Sequence, residues 1–429
     1  MNSKASFIGT LTCCACALTL GATATGCGMD ASEGAPSGAD SNDELQQGLA
    51  LESAARCPPS APPDGAVLWQ HDFGITRSLT PSSVAVDRQG NVFHASAPTG
   101  VNKLDTNGVS LEPVLPGSLV AVDARGGTYI GSAPSGTEGA KVTKRNARGV
   151  IVWSRDLGAN APQSIAVTPE RNVLVSGDKL GTVQLDADGD VAWTKPFGGY
   201  VASAANGEAL ITGWFLGTVD FGAGPVVSNQ GDAFIVRLGD EGELRWSHIL
   251  SDATLPINRP GGGGGVVTQP SAQIGKRIAE APNGDVVVAG YASDSIKLFG
   301  EDLATPAPPD VGRLPLVYVA RLDRRGAVLW KTHQYAFRDV RGLTVDVHGN
   351  VIVSGGTIGH APPFVRTWIK KLDPKGGRLW EHEETFASGY GYADAVATDR
   401  CGNIFLALEA AVTPGHEDVL HGYLAKLRP

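Results

Sequence analysis

Two short stretches decide the fold: Val345-Asp-Val-His-Gly-Asn-Val-Ile-Val-Ser354 and Lys371-Leu-Asp-Pro-Lys-Gly-Gly-Arg-Leu-Trp380. Each is a tight turn set between apolar runs. Turn Asp and Asn bond their own backbone two residues on, and Gly supplies positive φ, so both stretches specify β-hairpins. Laid end to end they give four strands, A to D, with turns between A and B and between C and D.

The same unit recurs along the chain, and internal repetition is the strongest signal present. Gly-x-x-x-Trp occurs at Gly65/Trp69, Gly149/Trp153, Gly189/Trp193, Gly242/Trp246, Gly326/Trp330 and Gly376/Trp380. Six of the eight Trp residues therefore share one repeat position. A basic or polar residue, Leu and often Asp precede it, as in Lys103-Leu-Asp105, Gln184-Leu-Asp186, Arg321-Leu-Asp323 and Lys371-Leu-Asp373. The A–B turn recurs at Val86-Asp-Arg-Gln-Gly-Asn-Val92, Val122-Asp123, Val167-Thr168, Asn206-Gly207, Asn283-Gly284 and Thr398-Asp399. Four strands every 40 to 50 residues, seven times over, predict an all-β, seven-bladed β-propeller. The folded part begins on a D strand, Val67-Leu-Trp69, and ends on a C strand, Tyr423-Leu-Ala-Lys-Leu427. The last blade is thus expected to close the ring by a 1+3 strand pairing that removes an open sheet edge.

Composition agrees. Gly and Pro, 56 and 27 residues, make up about a fifth of 429. Charged residues are 18%, which excludes a long coiled coil. A net charge of −9 leaves no phosphate-neutralising surplus, so no nucleic-acid partner is expected. Length suggests two or three domains, but the repeats read residues 65–429 as one ring.

Met1 to Cys27 reads as a secretion signal: Lys4, a weakly apolar stretch from Phe7 to Leu20, then small residues. It is too short and weak for a membrane span. Ala24-Thr-Gly-Cys27 resembles a bacterial lipoprotein lipobox, although Ala24 stands where Leu is usual. The resemblance implies that Cys27 is lipidated and becomes the first mature residue. Ordinary secretion with cleavage near Ala22 or Ala24 is the alternative. Residues 28–64, rich in Ala, Ser, Gly, Pro and acids, read as a disordered tether. Cys57 and Cys401 form a disulfide candidate in an exported chain. Cys401 sits in the last A–B turn, at the end where that blade's D strand begins at Gly65. Two unrelated thiols are the alternative.

The units resemble the bacterial cell-surface propeller repeats called SBBP repeats. The best copy is Thr212-Gly-Trp-Phe-Leu-Gly-Thr-Val-Asp-Phe-Gly222, then Gly231-Asp-Ala-Phe-Ile-Val-Arg-Leu238 and Gly242-Glu-Leu-Arg-Trp246. The resemblance implies an exported protein on a scaffold of no assigned activity. A weaker similarity is to pyrroloquinoline-quinone-type propellers, but no motif matches their calcium site or acidic base.

No Gly-x-Ser-x-Gly, His-Glu-x-x-His or phosphate-loop motif occurs. Gly261 to Gly265 reads as a flexible loop. His71, His248 and His382, two residues after the blade Trp, and His333, three after, fall on outer strands of different blades, too far apart to share a metal. Asp186-Ala-Asp-Gly-Asp190 echoes a calcium loop but lacks the later Glu, and reads as a structural turn. No cofactor and no metal is expected. Insertions map to one face of a propeller, often the binding face. They lie at Leu216–Gln230, Ser251–Gln273 (with Asn258 and Arg259), Ala292–Leu314 (with Asp294, Asp310 and Arg313) and Ala410–Val419 (with His416, Glu417 and Asp418). These readings predict a monomeric, non-enzymatic binding or scaffolding lipoprotein of the outer membrane or cell surface, with a protein or glycan of the envelope as partner. A funnel enzyme, lyase or quinoprotein-like, is the alternative. Acids and His converging on strand A ends would mark one, and the repeated positions show none.

Overall fold

The computed structural model describes Cys57 and residues 64–76, 83–96, 99–251, 273–293, 295–304, 315–335, 338–357, 366–385, 391–411 and 420–429. The chain divides into Met1–Pro63 and Asp64–Pro429. Cys27, and the loop residues Asn258, Arg259, Asp294, Asp310, Arg313, His416, Glu417 and Asp418, lie outside the described residues.

Seven antiparallel sheets follow one another as blades. Blade 1 is Ser83–Val86, Val92–Ser96 and Gly100–Leu104. Blade 2 is Leu119–Val122, Thr128–Ser132, Ala140–Arg145 and Ile151–Gly158. Blade 3 is Ser164–Val167, Val173–Gly177, Gly181–Leu185 and Val191–Lys195. Blade 4 is Tyr200–Ser203, Ala209–Asp220, Pro225–Leu238 and Leu244–Leu250. Blade 5 is Gln273–Glu280, Val286–Ala292, Leu316–Leu322 and Val328–Tyr335. Blade 6 is Arg338–Val345, Val351–Thr357, Arg366–Leu372 and Arg378–Thr385. Blade 7 is Gly391–Thr398, Ile404–Ala411 and Leu420–Leu427, completed by Val67–Thr76. That last pairing runs from Val67 opposite Leu427 to Thr76 opposite Leu420, so the ring closes as the two chain ends predict.

The sequence specifies these hairpins locally. In blade 6, Asp346 Oδ1 accepts the amides of His348 and Asn350 at 2.9 Å each, and Gly349 takes φ +82°. Asp87, Asp123, Asp186, Asp323, Asp373 and Asp399 cap their turns the same way. Asp186 of the calcium-like stretch thus caps a turn, its carboxylate taken by the amides of Asp188 and Asp190. Burial then grades outward. In blade 3 strand A is half-buried, strand B is buried throughout and strand D is mostly exposed, as Ile165, Val175 and Val191 illustrate. Facing blades bury aliphatic and aromatic side chains between them, such as Leu210, Ile235, Val288 and Tyr318 between blades 4 and 5. Each fully buried Leu or Phe contributes about 1.5–3 kcal/mol.

The repeat markers meet across these interfaces. The blade Trp reaches over the turn of the following blade, and its indole N–H donates to the carbonyl two residues before that turn's Gly. The acceptors are Thr106 for Trp69, Ala187 for Trp153, Asp240 for Trp193, Arg324 for Trp246 and Pro374 for Trp330, at 2.9–3.0 Å. Beneath the Trp lies the basic residue of strand C, buried and paired. Lys144 donates to Ala187 O, Arg321 binds Asp285, and Lys371 binds Asp346 at 2.9 Å. Residues two after the Trp bond the turn Gly carbonyl, as His71 does with Gly108 and His248 with Gly326. His382 bonds Asp64 O instead. The histidines are therefore interblade ties on separate blades. His333 packs edge-on against Tyr335 of its own strand.

Three expectations are corrected. Blade 1 is three-stranded, and its outer segment joins only through isolated bridges, Leu104 to Ser110 and Val101 to Leu115. Leu216–Gln230 is no loop, because it extends the B–C hairpin as a ladder from Gly217/Ser228 to Asp220/Pro225. The Ala292–Leu314 insertion contains a further hairpin, Ser295–Leu298 with Glu301–Ala304. Ile296, Leu298 and Leu303 of this hairpin are buried in the blade 4–5 core. In both insertions alternating apolar residues make a strand that the turn-rich composition hides. Cys57 and Cys401 are disulfide-bonded.

Candidate functional site

The A strands of blades 5, 6 and 7 are eight residues long, against four in blades 1 to 4. Each carries one β-bulge, between Gly275 and Arg277, Val340 and Gly342, and Ala393 and Ala395. A bulge places one unpaired residue on the strand and re-aims its side chain. Here those residues are Lys276, Arg341 and Asp394, at one level of three successive blades. Glycine neighbours make room: a Cβ on Gly342 would stand 2.3 Å from Ser354 Oγ.

The three bulges build one cluster. Arg341 Nη1 donates to Asp394 Oδ1 at 2.8 Å, and its Nε stands 3.5 Å from Asp339 Oδ2. Arg277 reaches past blade 6 to donate to Asp394 O at 3.4 Å. Each cation lies over a tyrosine: Arg341 over Tyr392 at 3.9 Å, Arg277 over Tyr200 at 4.3 Å and Lys276 over Tyr291 at 5.2 Å. Cation–π stacking of this kind stabilises and orients the charge. The carboxylates are buried, whereas the cations and tyrosines are half-buried.

Glu409 completes the cluster from strand B of blade 7. It is 3% exposed, and neither carboxyl oxygen has a hydrogen-bond partner among the described residues. Burial, then the charge of Asp394, push its carboxyl up to about 8, with Arg341 opposing. Burial also raises Asp394, against the pull of Arg341. For Arg341, burial opposes the charge, but Asp394 and Asp339 outweigh it and its pKa rises. Asp339 Oδ1, Asp394 Oδ2 and Arg341 Nε lack hydrogen-bond partners as well, so the cluster holds unused acceptors and a donor.

The cluster lies at the start of the A strands, the end from which the D–A and B–C connections leave. At the opposite end a cavity of about 500 Å³ opens among the A–B turns of blades 1 to 6. It is lined chiefly by Val, Ala and Pro, including Val122, Val167, Ala204 and Pro282, and its Asp123 and Asp346 are committed to their own turns. Chemistry therefore concentrates at the bulged end.

The cluster is not legible at positions shared by all repeats, because the strand A bulges exist in only three blades. The available signal was a charge interrupting an apolar strand next to a small residue, as in Gly275-Lys-Arg277, Val340-Arg-Gly342 and Ala393-Asp-Ala395. Among the described residues no group of three His, Cys, Asp or Glu could hold a metal ion. The six repeat Trp residues join blades and line no part of the cluster.

No protein-family profile matches the sequence, and no curated protein matches it. Solved structures do match. The RRP9 WD40 repeats align with a TM-score of 0.50 at 10% identity, covering 86% of this chain and 100% of that one. A streptogramin B lyase aligns at 0.49 and 12%, covering 83% and 97%. BamB from Moraxella catarrhalis aligns at 0.42 and 14%, covering 83% and 100%. At such identities the likeness is one of fold, and the chain is a seven-bladed β-propeller.

Proposed function

We propose that this propeller is an exported, lipid-anchored binding protein of the bacterial cell envelope, and that it is not an enzyme. Its ligand is an acidic glycan, held on the cation–tyrosine surface of Lys276, Arg277 and Arg341. The observation that carries this reading is Arg341, held by Asp394 and Asp339 and stacked on Tyr392. A guanidinium so fixed presents its remaining donors without losing side-chain entropy on binding. Half-buried tyrosines offer hydroxyls and ring edges, and sugar hydroxyls can both donate and accept. The resemblance to SBBP repeats and the lipobox-like Ala24–Cys27 support the envelope location.

Calorimetric titration of the chain with acidic and neutral envelope polysaccharides tests the ligand. The reading expects saturable binding of the acidic set, weakened at least tenfold by Arg341→Ala. Binding of neither set, or binding indifferent to Arg341, overturns it. A Cys27→Ser variant that still partitions with membranes counts against the anchor. Glu409 favours a second reading, a funnel enzyme, because an acid near neutrality suits proton transfer. Turnover of a glycan lost in Glu409→Gln, with binding retained, would favour it.

A further inference from the structure

Blade 1 alone lacks the repeat Trp. Four residues after its turn glycine, Gly108, stands Glu112. The consequences appear at the blade 1–2 interface. In every other interface the turn glycine lies against the preceding blade's indole, so close that a Cβ would come within 2.7–3.1 Å of the ring at Gly65, Gly108, Gly189, Gly242, Gly326 and Gly376. At Gly149 a Cβ would meet nothing within 4 Å. The carbonyl that should accept the indole N–H, Ala147 O, receives no hydrogen bond from the described residues. Lys103, at the basic strand C position, turns away from that carbonyl to bind Glu112 at 2.7 Å. Arg145 caps Gly149 O through Nη1 at 2.8 Å, and its buried Nε has no partner. What remains is a notch floored by Phe93, Val101, Leu115 and Ile130, with Gly149 and Ala147 on its far wall. With Lys103, Glu112 and Arg145 lining it the free volume is about 20 Å³, so a ring enters only when the Lys103–Glu112 pair swings out.

We propose that this notch is a docking site for a tryptophan side chain of a partner polypeptide. Its indole would lie on Gly149 and donate to Ala147 O. The argument is internal to the molecule. Five equivalent interfaces hold a tryptophan with the same glycine and carbonyl, and at the sixth, blade 6 to blade 7, the glycine contact is kept. The occupant's chemistry is thereby defined five times over, and its glycine contact six. In each case the indole is presented by an extended outer strand, which is the arrangement a partner chain can reproduce at blade 1. There the outer segment forms no continuous ladder with strand C, only the bridges at Ser110 and Leu115 and the Lys103–Glu112 ion pair. The Lys103–Glu112 pair guards the notch, but the Glu112 side chain is 40% exposed, so the pair is weak and readily displaced.

The test uses the exported chain and a short blocked peptide carrying 5-fluorotryptophan, followed by fluorine NMR. The expected result is saturable broadening, at least tenfold weaker for the matching phenylalanine peptide and for Glu112→Trp, whose own indole fills the notch. Glu112→Ala should bind as well as the parent or better, which separates a filled notch from a lost ion pair. Amide shifts confined to Gly149 and its neighbours in the unaltered chain read the same site without any variant. Absence of saturation, equal affinity for the phenylalanine peptide, or shifts elsewhere overturn the proposal. So would concentration-dependent self-association removed by Trp214→Ala, because the half-exposed Trp214 of a second copy would then be the occupant.

Discussion

Trp153 of blade 2 donates its indole N–H to Ala187 O of blade 3 at 3.0 Å, while Gly189 presses its backbone against the same ring. One side chain therefore fixes both the spacing and the register of two sheets that share no strand. This explains why Gly and Trp recur together although they act in different interfaces. The Gly of a unit receives the preceding blade's indole, and the Trp of that unit is sent to the next blade.

Alanine substitutions at two turn glycines separate backbone strain from this contact. Gly149 and Gly189 both sit at positive φ, +77° and +88°, where a Cβ costs about 1–2 kcal/mol. Gly189→Ala must in addition displace the Trp153 ring, which a Cβ would meet at 2.7 Å. Chemical denaturation should show Gly189→Ala losing at least about twice the stability that Gly149→Ala loses. Trp153→Ala should cost about 3 kcal/mol.

Lys371 and Asp346 form an ion pair 2.9 Å apart with side chains 2% and 0% exposed. Burial would raise the Asp346 carboxyl, but bonds from Asn350 and Lys371 outweigh it and hold the pKa below the usual value. A depressed folded pKa gives stability that is present above the ordinary carboxylate range and lost as pH falls through the folded value. Asp346→Asn, which strands the buried ammonium, should therefore cost about 3–5 kcal/mol at neutral pH. The gap to the parent should narrow below about pH 4 in acid denaturation curves.

Glu409 acts with the opposite sign. Its carboxyl is pushed up to about 8, so between about pH 4 and 8 the unfolded chain is ionised while the folded one holds the proton. The unfolded state then binds fewer protons, and this group lowers stability as pH rises through that window. Its largest slope is about 1.4 kcal/mol per pH unit. Glu409→Gln should match the parent near pH 4 and exceed it at pH 8, as read from denaturant midpoints.

Cys57 and Cys401 should give no reactive thiol in unfolded, unreduced chain 28–429. Cys57→Ser should lower stability by up to about 6 kcal/mol, the chain-entropy limit for so long a loop. Thiol titration and denaturation of the same sample check both statements.

The fold was legible because its signals are local. Asp or Asn with Gly makes each turn from within a few residues, and the Trp marks the outer strand. Blade 1 reads as an ordinary unit because its turns are intact, whereas its outer segment joins only through isolated bridges. The closure also leaves a trace that no repeat predicts. Trp380 meets Gly65, just before the strand that closes the ring, instead of a C–D turn, and its indole N–H has no acceptor among the described residues.

Sequence by itself determined the blade count, the strand order, the closing pair and the turns, since each depends on φ preference and apolar period over a few residues. Tertiary structure alone decided where charge collects. Lys276, Arg341 and Asp394 are far apart in sequence and meet because three bulges stand at one level of a closed ring. Burial first, and then the charge of Asp394, pushes the Glu409 carboxyl up to about 8. Desolvation and through-space charge are properties of the packed ring, and no single repeat encodes them.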